Sequence, residues 1–326
     1  MISYNPIRIN CGFFHACAIV DKIGYVWGAS INTHMADFTP YKVNLPRIKS
    51  MKCGNLITVA LTTDNLVYVW GSESYCAKLN IPFGSDLSGP SKLPIQSVIK
   101  IQVNQSGYGY GLITKNKIYC VCDHELISNV DITNVVQIKF NYPFIIIRTN
   151  LGKLYYMNTD GTNFKEHPLS KHVIKIDCGE LHGIILTLDG ELYVWEDISG
   201  PYNKFHQLLK SKSKIISARC GSYHTMVLLE NHEIYVWGSN MCGQLGLDHY
   251  NNIHLPQKLN LFKNFIRIRC GGHYSVAVTT DGIYGWGSNK QRQLGLDTDV
   301  TQQKRTVTYW DRIPSEPVPI KLQFQL

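Results

Sequence analysis

The stretch that decides the fold runs from Lys214 to Asp248: Lys214-Ile-Ile-Ser-Ala-Arg-Cys220-Gly221-Ser-Tyr-His224-Thr-Met-Val-Leu-Leu-Glu-Asn231-His-Glu-Ile-Tyr235-Val-Trp237-Gly238-Ser-Asn240-Met-Cys-Gly243-Gln-Leu245-Gly246-Leu-Asp248. A Cys-Gly corner, an apolar run, a polar turn and Tyr-x-Trp-Gly make a compact hairpin. The same order recurs along the chain, and a recurring unit outranks any local propensity in reading a fold. The nearest copy joins Cys270-Gly271, Asp281-Gly282 and Tyr284-Gly285-Trp286-Gly287, then runs on to Gln293-Leu294-Gly295-Leu296-Asp297. Further copies start at Cys178-Gly179, Cys53-Gly54 and Cys11-Gly12, each with its own Tyr-Val-Trp.

Two weaker units fit the same frame between Trp70 and Cys178, one ending in Ile118-Tyr119-Cys120-Val121 and the other in Leu154-Tyr155-Tyr156-Met157. With them the corners fall at 11, 53, 103, 140, 178, 220 and 270, spaced by 42, 50, 37, 38, 42 and 50 residues. Seven units of this size are the dimensions of propeller blades. Ile7-Arg8-Ile9 and Ile266-Arg267-Ile268 alternate with the period of a strand, whereas Ala16–Val20 and Met226–Leu229 are unbroken apolar runs, as in strands covered on both faces. Asp21-Lys22, Asp64-Asn65, Asp189-Gly190, Asn231-His232 and Asp281-Gly282 supply tight turns, mostly with residue types that tolerate positive φ. Pro-containing segments such as Leu255–Leu259 supply a fourth strand, because proline is tolerated at a sheet edge.

The order Cys-Gly-x-x-His, Asp-Gly, Tyr-x-Trp-Gly-Ser-Asn, Gly-Gln-Leu-Gly-Leu resembles the repeat of the regulator of chromosome condensation family, whose members form seven-bladed β-propellers. Gly rather than Asp usually follows the Trp, unlike the WD repeat. The fold class expected is all-β: a single seven-bladed β-propeller domain over residues 1–326. The alternating C-terminal segment Pro319–Leu326 is expected to pack beside the N-terminal hairpin and close the ring, removing an open edge.

At 44% hydrophobic and 17% charged residues, the chain has the composition of a packed β protein. Met1–Pro6 lacks the basic and apolar regions of a secretory signal, so the expectation is an intracellular protein, cytoplasmic or nuclear, not secreted and without membrane contact. Five of the ten cysteines share one repeat position, which places them too far apart for bridging, and they are read as reduced, buried thiols.

His15, His182 and His224 also share a position. A metal or acid-base ring is one reading, but repeat two has Ile57 there and no carboxylate accompanies any pair, so they are read as structural, each bonded within its own blade. The recurring Trp27, Trp70, Trp195, Trp237 and Trp286 are read as packing between blades. Gly243, Gly246 and Gly295 are turn glycines rather than a phosphate loop, since no Lys-Ser/Thr follows. No catalytic constellation, metal site or cofactor site is expected. Trp310 stands outside the blade frame, and with the cations Lys290, Arg292, Lys304 and Arg305 it forms the candidate partner contact. The net charge of +8 draws also on Lys204, Lys210, Lys212, Lys214, Arg267 and Arg269, read as a scattered basic surface.

A closed propeller offers two loop faces on a rigid ring, which suits binding proteins rather than chemistry. The resemblance implies several roles, among them nucleotide exchange on a small GTPase while docked on chromatin. The first reading is a non-enzymatic protein-interaction propeller. The alternatives are a guanine-nucleotide exchange factor for a Ran-type GTPase, which needs no covalent chemistry, and a chromatin or nucleic-acid binder acting through the basic surface.

Overall fold

The computed structural model describes residues 8–28, 37–55, 57–71, 90–103, 109–122, 125–130, 132–141, 143–195, 206–207, 213–260, 264–294 and 315–322. They form seven four-stranded antiparallel sheets, the blades of a propeller. Blade one is β1 (Arg8–Cys11), β2 (His15–Val20), β3 (Ile23–Gly28) and β4 (Asp37–Lys42); blade two is β5 (Ile48–Cys53), β6 (Ile57–Thr62), β7 (Val67–Gly71) and β8 (Ser91–Lys92). Blade three is β9 (Lys100–Val103), β10 (Gly109–Ile113), β11 (Ile118–Cys122) and β12 (Glu125–Val130); blade four is β13 (Val135–Asn141), β14 (Phe144–Thr149), β15 (Leu154–Asn158) and β16 (Lys165–Glu166). Blade five is β17 (Val173–Cys178), β18 (Gly183–Thr187), β19 (Leu192–Trp195) and β20 (His206–Gln207). Blade six is β21 (Ile215–Cys220), β22 (His224–Leu229), β23 (Ile234–Gly238) and β24 (Ile253–Lys258); blade seven is β25 (Phe265–Cys270), β26 (Tyr274–Thr279), β27 (Ile283–Ser288) and β28 (Ser315–Leu322). Blades three and four, whose corners lack Cys-Gly and whose third strands lack Trp, keep the same strand order.

The unbroken apolar runs are explained by the two neighbours each blade has. In β22, Met226 and Leu228 pack toward Phe265 and Ile268 of blade seven, while Val227 and Leu229 pack toward Ile184 and Leu186 of blade five. Every side chain of β22 is therefore buried, and each fully covered aliphatic contributes about 1.5–3 kcal/mol. The first strand of each blade lies innermost and alternates instead: β21 and β5 both read buried, exposed, half-buried, buried, half-buried, buried. The hairpin turns carry positive φ at Asp21, Lys22, Asn65, Gly190 and His232. A threonine ends the second strand of several blades, and its hydroxyl closes the turn by donating to the turn aspartate, as in Thr62 to Asp64, Thr187 to Asp189 and Thr279 to Asp281.

The ring closes differently from the sequence expectation. The C-terminal strand β28 pairs with β27, from Ile283↔Leu322 to Ser288↔Ser315, as the fourth strand of blade seven, and does not lie beside the N-terminal hairpin. Each blade is thus made wholly from consecutive chain. Ile9, Cys11, Ala16 and Ala18 of blade one instead pack against Tyr274, Val276, Val278 and Leu294 of blade seven. Four hydrogen bonds add to this seam. Trp27 Nε1 donates to Gln293 O at 3.1 Å and Arg269 Nε to Ile9 O at 3.0 Å, while Tyr274 Oη donates to His15 O at 3.0 Å and Gly272 N to Gly12 O at 3.2 Å. The closing contact is side-chain packing rather than a shared sheet.

Candidate functional site

In blade one, His15 lies opposite Gly28 in the β2–β3 ladder, so the corner loop after the first strand and the loop after the third emerge on one face. The hairpin turns emerge on the other. At the corner face the backbone passes from blade to blade: Glu180 N donates to Ser222 O, Ser222 N to Gly272 O, Gly272 N to Gly12 O, and Phe13 N to Gly54 O. The corner glycines permit this approach. A Cβ on Gly12 would stand 2.3 Å from Gly54 O, and one on Gly179 2.4 Å from Gly221 O.

Behind the rim sit the repeat histidines. His15 Nε2 is hydrogen-bonded to Thr58 Oγ1 at 2.8 Å, His182 Nε2 to Thr225 Oγ1 at 3.0 Å, and His224 Nε2 to Ser275 Oγ at 2.9 Å. These are contacts between blades: each partner lies in the following blade and not, as the sequence suggested, in the histidine's own. Ser275 Oγ itself donates to Gln244 O at 2.8 Å, so it accepts from His224, which fixes the proton of that neutral ring on Nε2. Burial pushes His15 and His182 down to about 4 and His224 down to about 3, out of range for acid-base work near neutrality.

The tryptophans bridge blades in the opposite direction. Trp286 Nε1 donates to Gln244 O at 2.9 Å and Trp195 Nε1 to Asn141 Oδ1 at 3.1 Å, each reaching the preceding blade. The Gly-Gln-Leu-Gly stretch therefore has a structural task. Asn240 Oδ1 and Gln244 Oε1 accept from Leu245 N and Cys242 N, holding the Gln244 carbonyl where Trp286 and Ser275 meet it. Gly243 and Gly246 both stand at φ +73°, as turn glycines do, whereas Gly295 lies outside the described residues.

The corner face also carries a group of aromatic and apolar side chains. Phe13 makes edge contacts with Phe14 and His273, at centroid separations of 4.5 and 5.3 Å, and Tyr223 stacks on His273 at 5.8 Å. Together with Met241, these residues from blades one, six and seven line a cavity of about 470 Å³. Met241 is 57% exposed, Leu181 48% and Tyr223 38%, with the Tyr223 hydroxyl donating to the Glu180 carboxylate. Burial, then that carboxylate, push the Tyr223 phenol up to about 12.

Of the residues singled out in the sequence, Lys290 is exposed and lines this cavity. Arg292 is half-buried in the adjoining turn at φ +55°, occupying the place that Gly243 has in blade six. Trp310, Lys304 and Arg305 lie outside the described residues. The aromatic patch was missed, although its signal is present: the two residues between Cys-Gly and His are Phe13-Phe14 in blade one and Ser222-Tyr223 in blade six. Cys11, Cys17, Cys53, Cys120, Cys178, Cys220 and Cys270 are buried free thiols, and Cys242 is a half-buried one. Among the described residues no three His, Cys, Asp or Glu side chains converge as a metal site, and no helix is long and apolar enough to cross a membrane.

Comparison with known proteins agrees with this architecture. Sequence models of the regulator of chromosome condensation (RCC1) repeat match residues 231–278 in one form and residues 48–75 and 215–244 in another. Among solved structures, Prp20p from Saccharomyces cerevisiae, reported with its binding properties to Gsp1p and histones, is 19% identical. That match covers 100% of this chain and 87% of the other at a TM-score of 0.71. Human WBSCR16 is 16% identical over 84% of this chain and 86% of its own, with a TM-score of 0.69. The CRINKLY WD40 ectodomain of the Arabidopsis thaliana receptor kinase ACR4 is 12% identical over 86% of this chain and 94% of its own, with a TM-score of 0.57. At such identities the likeness is one of fold.

Proposed function

We propose that this chain, whose regulator-of-chromosome-condensation-like repeats form a seven-bladed propeller scaffold, is a non-catalytic docking module that holds a protein partner on its corner-loop face. The observation that carries this reading is the contiguous apolar patch of Phe13, Tyr223, Met241 and His273 around a cavity of about 470 Å³. Aromatic and Met side chains grouped on a rigid rim, with a cation such as Lys290 beside them, are the composition of a protein-binding centre. The histidines behind this face are held neutral by burial, and burial pushes up the Cys242 thiol in the cavity wall, so neither is primed for acid-base or nucleophilic chemistry. Retention of a partner from the source cell, lost in Met241→Glu and kept in Leu188→Glu on the opposite face, would support the reading; equal retention by both variants would overturn it.

The second reading is nucleotide exchange on a Ran-type GTPase. Its support is the fold-level likeness over the full chain to Prp20p, a protein reported with Gsp1p binding. Exchange requires only a surface that stabilises the nucleotide-free GTPase, so the same face would serve. Release of a fluorescent guanine nucleotide from such a GTPase separates the readings: concentration-dependent acceleration by this chain selects exchange, and an unchanged rate selects the scaffold.

A further inference from the structure

The first strands of the seven blades follow one another around the axis, from β1 to β5 and on through β25, which again meets β1. Two positions on these strands concentrate the charge of the protein. One residue before the corner stand Lys52, Lys139, Arg219 and Arg269; two residues further back stand Arg8, Lys100, Lys175 and Arg267. Against these eight cations the same positions hold a single carboxylate, Asp177. The excess of cations there is close to the net +8 of the whole chain, so the basicity is gathered at the axis rather than scattered.

The one carboxylate is fully used. Asp177 takes Lys139 Nζ at 2.5 Å and accepts from Cys178 N and Cys220 N. Several other cations lean on neutral groups: Lys175 Nζ on Ser217 Oγ, Arg219 on Ala218 O, Arg269 on Ile9 O and Ile268 O, and Lys100 on Val136 O. Burial and then the charges of Arg269, Lys139 and Arg219 push Lys52 down to about 7. Those three residues belong to blades seven, four and six, and they stand at the equivalent position on first strands that form one ring, so cations from four blades bear on one another around the axis. Burial and Arg219 likewise push Arg269 down to about 10. A fold that holds like charges together in a poorly screened interior is less stable for it, unless an anion completes the arrangement. In β17 and β25 a bulge directly precedes the outer cation, Lys175 and Arg267, a device that re-aims a side chain.

We propose that the axial channel is a binding site for a small polyphosphorylated molecule, gripped by the cations of two layers separated by two residues, or about 7 Å, along the inner strands. Two layers suit several phosphates on one compact molecule better than a single monoanion. A nucleic-acid duplex suits cations spread along an open groove, whereas these cations are enclosed by a ring of seven inner strands. The site is separate from the corner-face patch, and its failure would leave the docking reading intact.

The test is titration calorimetry of the full chain with sodium tripolyphosphate in 50 mM salt. The variants are Lys52→Gln/Arg219→Gln, the single Lys52→Gln, and a control pair, Lys22→Gln/Lys115→Gln, on the hairpin-turn face. The expected result is one saturable site in the wild type, weakened at least tenfold in the channel pair and unchanged in the control. Without ligand the channel variants are expected to melt above the wild type, because repulsion has been removed, and to lose that advantage in saturating tripolyphosphate. Absence of a saturable site, equal weakening by the control pair, or displacement of the ligand by duplex DNA with loss in both pairs would overturn the proposal.

Discussion

Acid should loosen the seams between blades, and the histidine clasps set how much. His15 and His224 are buried, each with Nε2 bonded to a hydroxyl of the next blade and Nδ1 without a hydrogen-bond partner. Protonation would place an N–H where nothing accepts it. Folding lowers these bases from an ordinary 6.5 to about 4 and about 3, so between those values the unfolded chain binds more protons than the folded one. Stability from this source is therefore complete above about pH 6.5 and declines as pH falls. At pH 5 the unfolded imidazoles are protonated and the folded ones are not, which costs about 2 kcal/mol for each, or about 4 kcal/mol for the pair. The assay is urea unfolding at pH 7.5 and 5.0 for the wild type and for His15→Gln/His224→Gln, whose side chains cannot titrate. Lys52, His182 and His273 are also lowered by burial, and they remain in both proteins, so the difference between the two pH dependences isolates the clasps. The wild type should lose about 4 kcal/mol more than the variant; equal losses would refute the reasoning.

Other consequences are open to the same kind of measurement. Gly221→Ala places a Cβ 2.0 Å from His224 Cε1 and 2.6 Å from Gly271 O, and should destabilise by on the order of 3 kcal/mol in thermal unfolding, a loss that Gly190→Ala, with no atom within 4 Å but φ +84°, can cause only through backbone strain. Trp286→Phe removes a donor to Gln244 O, but Ser275 still donates there, so the hydrogen-bond loss should stay near about 1 kcal/mol. Removing residues 315–326 strips the outer strand of blade seven and should lower the melting midpoint while the Trp27–Gln293 seam persists, seen as unchanged Trp27 fluorescence before unfolding.

Much of this was legible from repeat spacing, because a blade cannot bury its apolar strands alone and so imposes one pattern many times. Even blades three and four, without the Cys-Gly corner or the Trp, betray themselves through Ile118-Tyr-Cys-Val and Leu154-Tyr-Tyr-Met, and their strands lie there. The C-terminal strand was misplaced because its alternation suits an edge beside either terminal blade, and only the choice of neighbour differs. The histidine partners were hidden for a related reason: Thr58, Thr225 and Ser275 lie one blade away, 43 or 51 residues along the chain, at a distance no local pattern reports. The axial cations were readable in principle. Lys52, Arg219 and Arg269 all directly precede a corner cysteine, but their convergence becomes visible only when the corners are known to circle one axis.

The docking claim is tested most directly by a photo-crosslinking amino acid placed at Met241 on the corner face and, separately, at Leu188, which is 63% exposed on the opposite face. The account predicts that in the source cell the Met241 position forms one discrete adduct with a partner protein, that His273→Asp abolishes it, and that the Leu188 position forms none. The same adduct from Leu188, or no adduct from Met241, would contradict it.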